Sequence, residues 1–218
     1  MYFENREEAG RILAEKMYHR YRYDDCAVIA LNEGAVLIGE QIAKSLHCIL
    51  TMLLIEEIAI PGEGINIGGM SQDGSFMYNT RLSSGEIEDY NSEYHAYLDD
   101  QKRQAAQRMN SLLGDGGIIN TDMIRDRVVI MVSDGLETGS SLDVAVNFLK
   151  PIRTKKLVIV TPVSTIEAVD KMHILGDELY VLDVKENFLG TNHYYTDNSI
   201  PSREDIIKKI NDVILNWR

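Results

Sequence analysis

The sequence predicts an α/β domain: a mostly parallel sheet with helices on both faces, plus a small hairpin and a long helical insertion. Two observations predict it. Short continuous apolar runs (Cys26–Leu31, Cys48–Ile55, Arg127–Val132, Leu157–Val160) have the texture of strands buried on both faces. Between them, apolar residues recur at helical spacing.

Taken in order, residues 4–19 place Ala9, Ile12, Leu13 and Met17 on one stripe, which predicts an amphipathic opening helix. Cys26–Leu31 is the first strand, Asn32-Glu33-Gly34 a turn, Ala35–Leu46 a helix and Cys48–Ile55 the second strand, a βαβ unit. Between Pro61 and Asn79 the chain turns glycine-rich, with Asp73-Gly74 as the turn of a hairpin. Helical spacing returns over Ser84–Leu113 through Ile87, Tyr90, Tyr94, Leu98, Gln101, Ala105 and Met109. Unbroken, that helix would run about 45 Å, longer than a core helix needs. It reads as a lid or assembly arm within an insertion at 62–115, ended by Asp115-Gly116-Gly117. Tyr90, Tyr94 and Tyr97 form a stripe on it that packs on the domain or on a second subunit. The subunit reading is preferred and predicts a homo-oligomer, a dimer. Strand Arg127–Val132, helix Gly139–Leu149, strand Leu157–Val160, helix Thr165–Met172 and strand Leu179–Leu182 follow. Ser202–Trp217 closes the chain as a helix, with Ser202 as N-cap and Asp205 in the capping-box position.

With 218 residues the chain fits one domain, 1–218. No run of 18 apolar residues occurs, and the opening MYFENREEAG is acidic and polar, so neither a transmembrane helix nor a signal peptide is expected. A cytoplasmic protein is expected, with Cys26 and Cys48 as reduced core thiols. Twenty-two basic and 34 acidic side chains give a net charge of −12, which disfavours nucleic acid and anionic membrane as partners. The five histidines are scattered without metal-ligand spacing, so no metal site is expected from them. Hydrolase and kinase motifs are absent.

The chemistry concentrates in residues 128–149, VVIMVSDGLETGSSLDVAVNFL. A buried strand leads through a loop to a helix, and ligands of open α/β sheets bind at the carboxyl ends of strands. Gly135–Ser141 offers glycines, hydroxyls and N–H groups at a helix N-terminus, the arrangement that cradles a phosphate. Asp134 stands where it could accept hydrogen bonds from sugar hydroxyls. An ordinary βα loop with Thr138 or Ser140 as a helix cap has the same texture.

This segment resembles the phosphoribosyl-pyrophosphate loop of type I phosphoribosyltransferases. In that family a hydrophobic strand ends in two acids, and a Thr-Gly-x-Thr/Ser phosphate loop follows. Val128–Val132 matches the strand, Asp134 the second acid and Thr138-Gly139-Ser140-Ser141 the phosphate loop. Glu137 falls where some members place a carboxylate that acts as base toward the nucleobase. The resemblance covers most of the chain. It is nearest to bacterial phosphoribosyltransferase-like proteins with a Pro-Arg-Gly-Gly loop, whose glycine-rich hairpin and long helical insertion match residues 62–79 and 84–113, with a hood-like segment at 183–200. It implies a 5-phosphate on Glu137, Thr138, Gly139, Ser140 and Ser141, ribose on Ser133 and Asp134, and catalytic roles for Asp134 and Glu137. Pyrophosphate would lie against Asn32, Glu33, Gly34 and Ala35, and a base near Phe188, Tyr194 and Tyr195. An active member would use Mg²⁺.

Four departures share a theme. Ser133 replaces the first acid, and Asn32-Glu33-Gly34-Ala35 replaces Pro-Arg-Gly-Gly. Glu56-Glu57 stands where a basic pair is expected, and the arginines of the insertion are thinned to Arg103 and Arg108 among Glu93, Asp99 and Asp100. Each reversal of charge at a buried polyphosphate contact is worth roughly 2–5 kcal/mol. Extra carboxylates holding hydrated Mg²⁺ would offset part of it. The expectation is a degenerate family member that binds a nucleotide or sugar phosphate without efficient transfer; the alternative is an active transferase. A generic domain whose acidic surface serves a protein partner is a third reading.

Overall fold

The computed structural model describes residues 1–113, 119 and 121–215. Asp115-Gly116-Gly117 and Trp217, read above as segment ends, lie outside the described residues. The elements are α1 (Arg6–Tyr21), β1 (Cys26–Ala30), α2 (Glu33–Leu46), β2 (Ile49–Met52), β3 (Ile55–Ala59), β4 (Asn66–Ser71), β5 (Phe76–Tyr78), α3 (Ser84–Glu93) and α4 (His95–Leu113). Then come β6 (Val128–Val132), α5 (Ser140–Leu149), β7 (Lys156–Thr165), α6 (Ile166–Leu175), β8 (Glu178–Lys185) and α7 (Arg203–Leu215). The chain divides into two compact units. One comprises Met1–Met52, Ile119–Gly139 and Ile152–Arg218; the other comprises Leu53–Ile118 and Ser140–Pro151. The second unit thus begins before the insertion read at 62–115 and includes α5.

The first unit is the predicted α/β architecture, a five-stranded parallel sheet in the order β2-β1-β6-β7-β8, flanked by helices. β1 and β6 are buried at every residue, which explains their unbroken apolar runs. α1 starts where the Asn5 side chain accepts from Glu8 N–H, and it packs on α2. Gly10 allows that approach, since a Cβ there would stand 2.8 Å from the Ile38 carbonyl oxygen. The predicted turn at Asn32-Glu33-Gly34 contracts to a single cap. Asn32 accepts from Ala35 N–H at 2.7 Å, and Glu33, Gly34 and Ala35 are already helical. The apolar run Cys48–Ile55 proves to serve two sheets: Ile49–Met52 forms β2, and Ile55 opens β3 of the other unit. β7 and β8 outrun the predicted strands because buried Thr161 and Ser164, and the charged ends of β8, continue the ladder past the apolar stretch. Ser202 caps α7, accepting from Asp205 N–H at 3.3 Å.

In the second unit the predicted hairpin is β4–β5, turning at Gly74 (φ +82°), with β3 added antiparallel on the far side of β4. The long helix breaks at Tyr94 into α3, opened by a Ser83–Glu86 capping box, and α4. Leu98, Ala105 and Met109 are buried as the stripe predicted. Tyr90, Tyr94 and Tyr97 pack around Ile58, Ile60, Ile67 and Leu98 of their own chain. The Tyr94 hydroxyl donates to Glu63 at 3.0 Å and that of Tyr97 to the Ala59 carbonyl at 3.3 Å. The stripe thus packs on β3 and β4 of its own chain, while its three tyrosines stay half-exposed. Among the described residues no helix is long and apolar enough to cross a membrane.

Candidate functional site

The strand order places a topological switch point between β1 and β6, whose onward connections lead to opposite sides and leave a crevice at their carboxyl ends. β1 delivers Asn32 there and β6 delivers Ser133 and Asp134. The Asn32 amide donates to Asp134 Oδ1 at 2.9 Å, and Arg6 Nε donates to Oδ2 at 2.8 Å. Asp134 is 6% exposed and Arg6 2%, so the pair lies in the interior. Arg6 also donates to Asn192 Oδ1 (2.8 Å) and Asn198 Oδ1 (3.4 Å), with its guanidinium 4.5 Å from the Tyr195 ring centroid. The Tyr195 hydroxyl donates to the Asp134 carbonyl at 2.6 Å. Burial, and secondarily the Asp134 charge, push that phenol well above its ordinary range. Gly34 makes room for the pair: a Cβ there would fall 2.6 Å from Arg6 Nε and nearer still to Asp134 Oδ2. Each carboxylate oxygen keeps a second lone pair, so what limits a ribose contact here is the burial of Asp134 and the neutralisation of its charge by Arg6.

The neighbouring predicted residues are also engaged. Ser133 Oγ donates to the Gly135 carbonyl at 2.9 Å, folding the turn after β6. Glu33 accepts from Arg203 Nη1 at 3.2 Å. Leu136 exchanges backbone bonds with Val163 and Thr165, and Thr165 Oγ1 donates to the Glu137 carbonyl at 2.6 Å, pinning the loop to β7. The Glu137 side chain is exposed and Thr138 half-buried. Gly139 has φ +65°, a conformation that favours glycine. In the second unit Ser140 and Ser141 open α5. Ser140 Oγ donates to Glu57 Oε1 at 2.6 Å, and Thr80 Oγ1 to Asp143 Oδ2 at 2.8 Å. A carboxylate from β3 thus stands at the first turn of α5, where exposed N–H groups favour an anion. Glu56 pairs with Arg108 at 3.3 Å, and Arg103 with Asp100 at 3.7 Å.

Of the three residues read at the base-binding end, Tyr194 and Tyr195 are buried in a core cluster with Phe3, Ala9 and Val163. The Tyr194 hydroxyl accepts from Leu189 N–H at 3.1 Å and donates to the Asn187 carbonyl at 3.3 Å, so both ends of the side chain are held inside. Half-buried Phe188 lies 5.3 Å away, centroid to centroid. Among the described residues no three His, Cys, Asp or Glu side chains group to hold a metal ion. Arg6, Asn192 and Asn198 were not singled out from the sequence as site residues, and Tyr195 was read at the base-binding end, not beside Asp134. Arg6 left one readable signal: it shares the buried stripe of α1 with Ala9, Leu13 and Met17, where a charge demands a partner.

No family model matches the chain. It is 22% identical over 212 residues to a Mycobacterium tuberculosis (H37Rv) protein named "Putative phosphoribosyl transferase"; the match covers 94% of this chain. The same likeness holds for that protein in strain CDC 1551. The chain spans 45% of the length of these curated relatives. Among solved structures, TT1426 from Thermus thermophilus superposes with a TM-score of 0.68 at 23% identity, covering 100% of this chain and 99% of that one. The two share a fold. A hypoxanthine phosphoribosyltransferase from Staphylococcus aureus gives 0.48 at 15% identity, over 85% of this chain and 76% of that one.

Proposed function

We propose that this chain is a phosphoribosyltransferase-family protein that binds a nucleotide or sugar phosphate without efficient phosphoribosyl transfer. The family part is supported by the match to the M. tuberculosis protein across nearly the whole chain and by the Thr138–Ser141 motif. The loss of transfer is supported chiefly by Asp134, which is buried and has its charge neutralised by the equally buried Arg6. In this reading the 5-phosphate lies on Glu137, Thr138, Gly139, Ser140 and Ser141, through backbone N–H groups and hydroxyls. The pyrophosphate side is weak because Glu33, Glu56 and Glu57 replace the basic residues that the family resemblance leads one to expect, and Arg203 and Arg108 are taken up by pairing with Glu33 and Glu56. Both the bound pyrophosphate and the charge that develops as it leaves need those cations, so this loss costs affinity and rate alike.

The active-transferase alternative rests on one specific observation, the name of the M. tuberculosis relative. Calorimetric titration separates the two, with phosphoribosyl pyrophosphate and Mg²⁺ beside ribose 5-phosphate and AMP. The expected result is binding of the monophosphates and little added affinity from the pyrophosphate. Tight binding of the pyrophosphate compound, followed by its turnover with any base, would favour the alternative. Failure of all three ligands would overturn the proposal.

A further inference from the structure

Between α1 and α2, which pack on each other at Gly10, a groove of about 360 Å³ opens to solvent. That volume lies in the range of small-molecule sites. The groove belongs wholly to the first unit and shares no residue with Asp134 or the loop at 137–141. Arg11, Glu15 and Tyr18 line it from α1 and Gln41 and Ser45 from α2, with buried Ala14 as its floor.

The charges here differ from those on the rest of the surface. Exposed Arg20, Arg103, Arg125 and Arg153 each pair with a carboxylate, as expected in a chain of net charge −12. Arg11 and Glu15 are also exposed, of opposite sign and one helical turn apart, a spacing at which side chains are neighbours. Yet among the described residues neither pairs with the other or with any other group. The side-chain polar atoms of half-buried Gln41 and Ser45 make no hydrogen bond among the described residues either. One wall therefore offers two unmet opposite charges, and the other offers an amide and a hydroxyl.

We propose that this groove binds a free aromatic α-amino acid, with its carboxylate on Arg11, its ammonium on Glu15 and its ring against Ala14 and Tyr18. Two long side chains one turn apart can close on charges that share a single carbon, as those of a free amino acid do. A peptide separates its two end charges along its length. The aromatic preference comes from Tyr18, which is 38% exposed. His19, also on the groove, already meets its ring edge-on at 5.6 Å, and a ligand ring would extend that cluster. The inference does not depend on the ligand-binding proposal above.

Calorimetric titration of the full chain with L-phenylalanine tests it, beside phenylpropionate, which lacks the ammonium, and phenylethylamine, which lacks the carboxylate. The expected result is saturable binding of L-phenylalanine, with each half-ligand at least roughly tenfold weaker. Arg11→Gln and Glu15→Gln, both at exposed positions and checked for folding by circular dichroism, should each lower L-phenylalanine affinity at least roughly tenfold. No saturable binding up to the solubility of L-phenylalanine overturns the proposal. So does binding that either variant keeps in full, which would place the amino acid elsewhere, or binding that either half-ligand matches.

Discussion

Replacing Arg6 by Met would remove the buried cation and leave the Asp134 carboxylate inside the protein with one donor, Asn32. Breaking one side of a buried ion pair costs about 3–5 kcal/mol, because the surviving charge is neither solvated nor matched. The bonds to Asn192 and Asn198 and the stacking on Tyr195 disappear with it, so the upper half of that range is expected. In a chain of this length each kcal/mol moves the melting temperature by roughly 2–4 °C, so the variant should melt about 10 °C lower or more. The double variant Arg6→Met, Asp134→Leu should recover much of the loss, since no orphan charge remains. Urea and thermal unfolding of the unsubstituted chain, both single variants and the double variant close a cycle whose coupling term isolates the pair. A loss below about 1 kcal/mol in Arg6→Met, or a double variant as unstable as the two singles summed, would refute the claim that this pair is buried and mutually dependent.

Two further outcomes are expected. Hydrogen bonds from Lys156 and Tyr21, with Arg20 beside them, hold Glu178 down at about 2 against the desolvation that opposes them. Because its folded value is depressed, the stabilisation is present above the ordinary Glu value of about 4.3 and is lost as pH falls from there toward 2. Glu178→Gln should flatten the fall in urea stability across that window, and an unchanged slope would count against the assignment. Glu57→Gln removes the carboxylate that Ser140 now bonds, and should raise affinity for inorganic phosphate or ribose 5-phosphate at least roughly tenfold, read by calorimetry. Equal affinity in both proteins would show that Glu57 does not compete for that position.

The sheet was readable because strands buried on both faces must be apolar at every residue, and β1 and β6 are. Misreadings arose where one local pattern fits two tertiary outcomes. Cys48–Ile55 is evenly apolar, yet its two halves join different sheets, and nothing local marks the passage at Leu53 and Leu54. Three tyrosines on one helix face suit a partner chain or the chain's own β3–β4 surface equally well, and in the fold they line that surface while staying half-exposed. At the candidate site Asp134 and the loop motif were legible. Their engagement was not, since Arg6 and Asn192 bond at sequence separations that no motif spans.

Val128–Val132 also bears on the chain before it folds. Five consecutive apolar, largely β-branched residues with no charge are the kind of segment that unfolded chains stack into intermolecular β-structure. Charges close it on both sides, with Arg125, Asp126 and Arg127 before it and Asp134 just after. In the native protein Arg127 pairs with Asp25 at 3.2 Å and Arg153 with Asp126 at 3.1 Å, while Asp134 is bound by Arg6. During synthesis those bonds do not yet exist, and the same charges act as gatekeepers that keep the strand from a neighbouring chain until β1 and β7 are there to receive it.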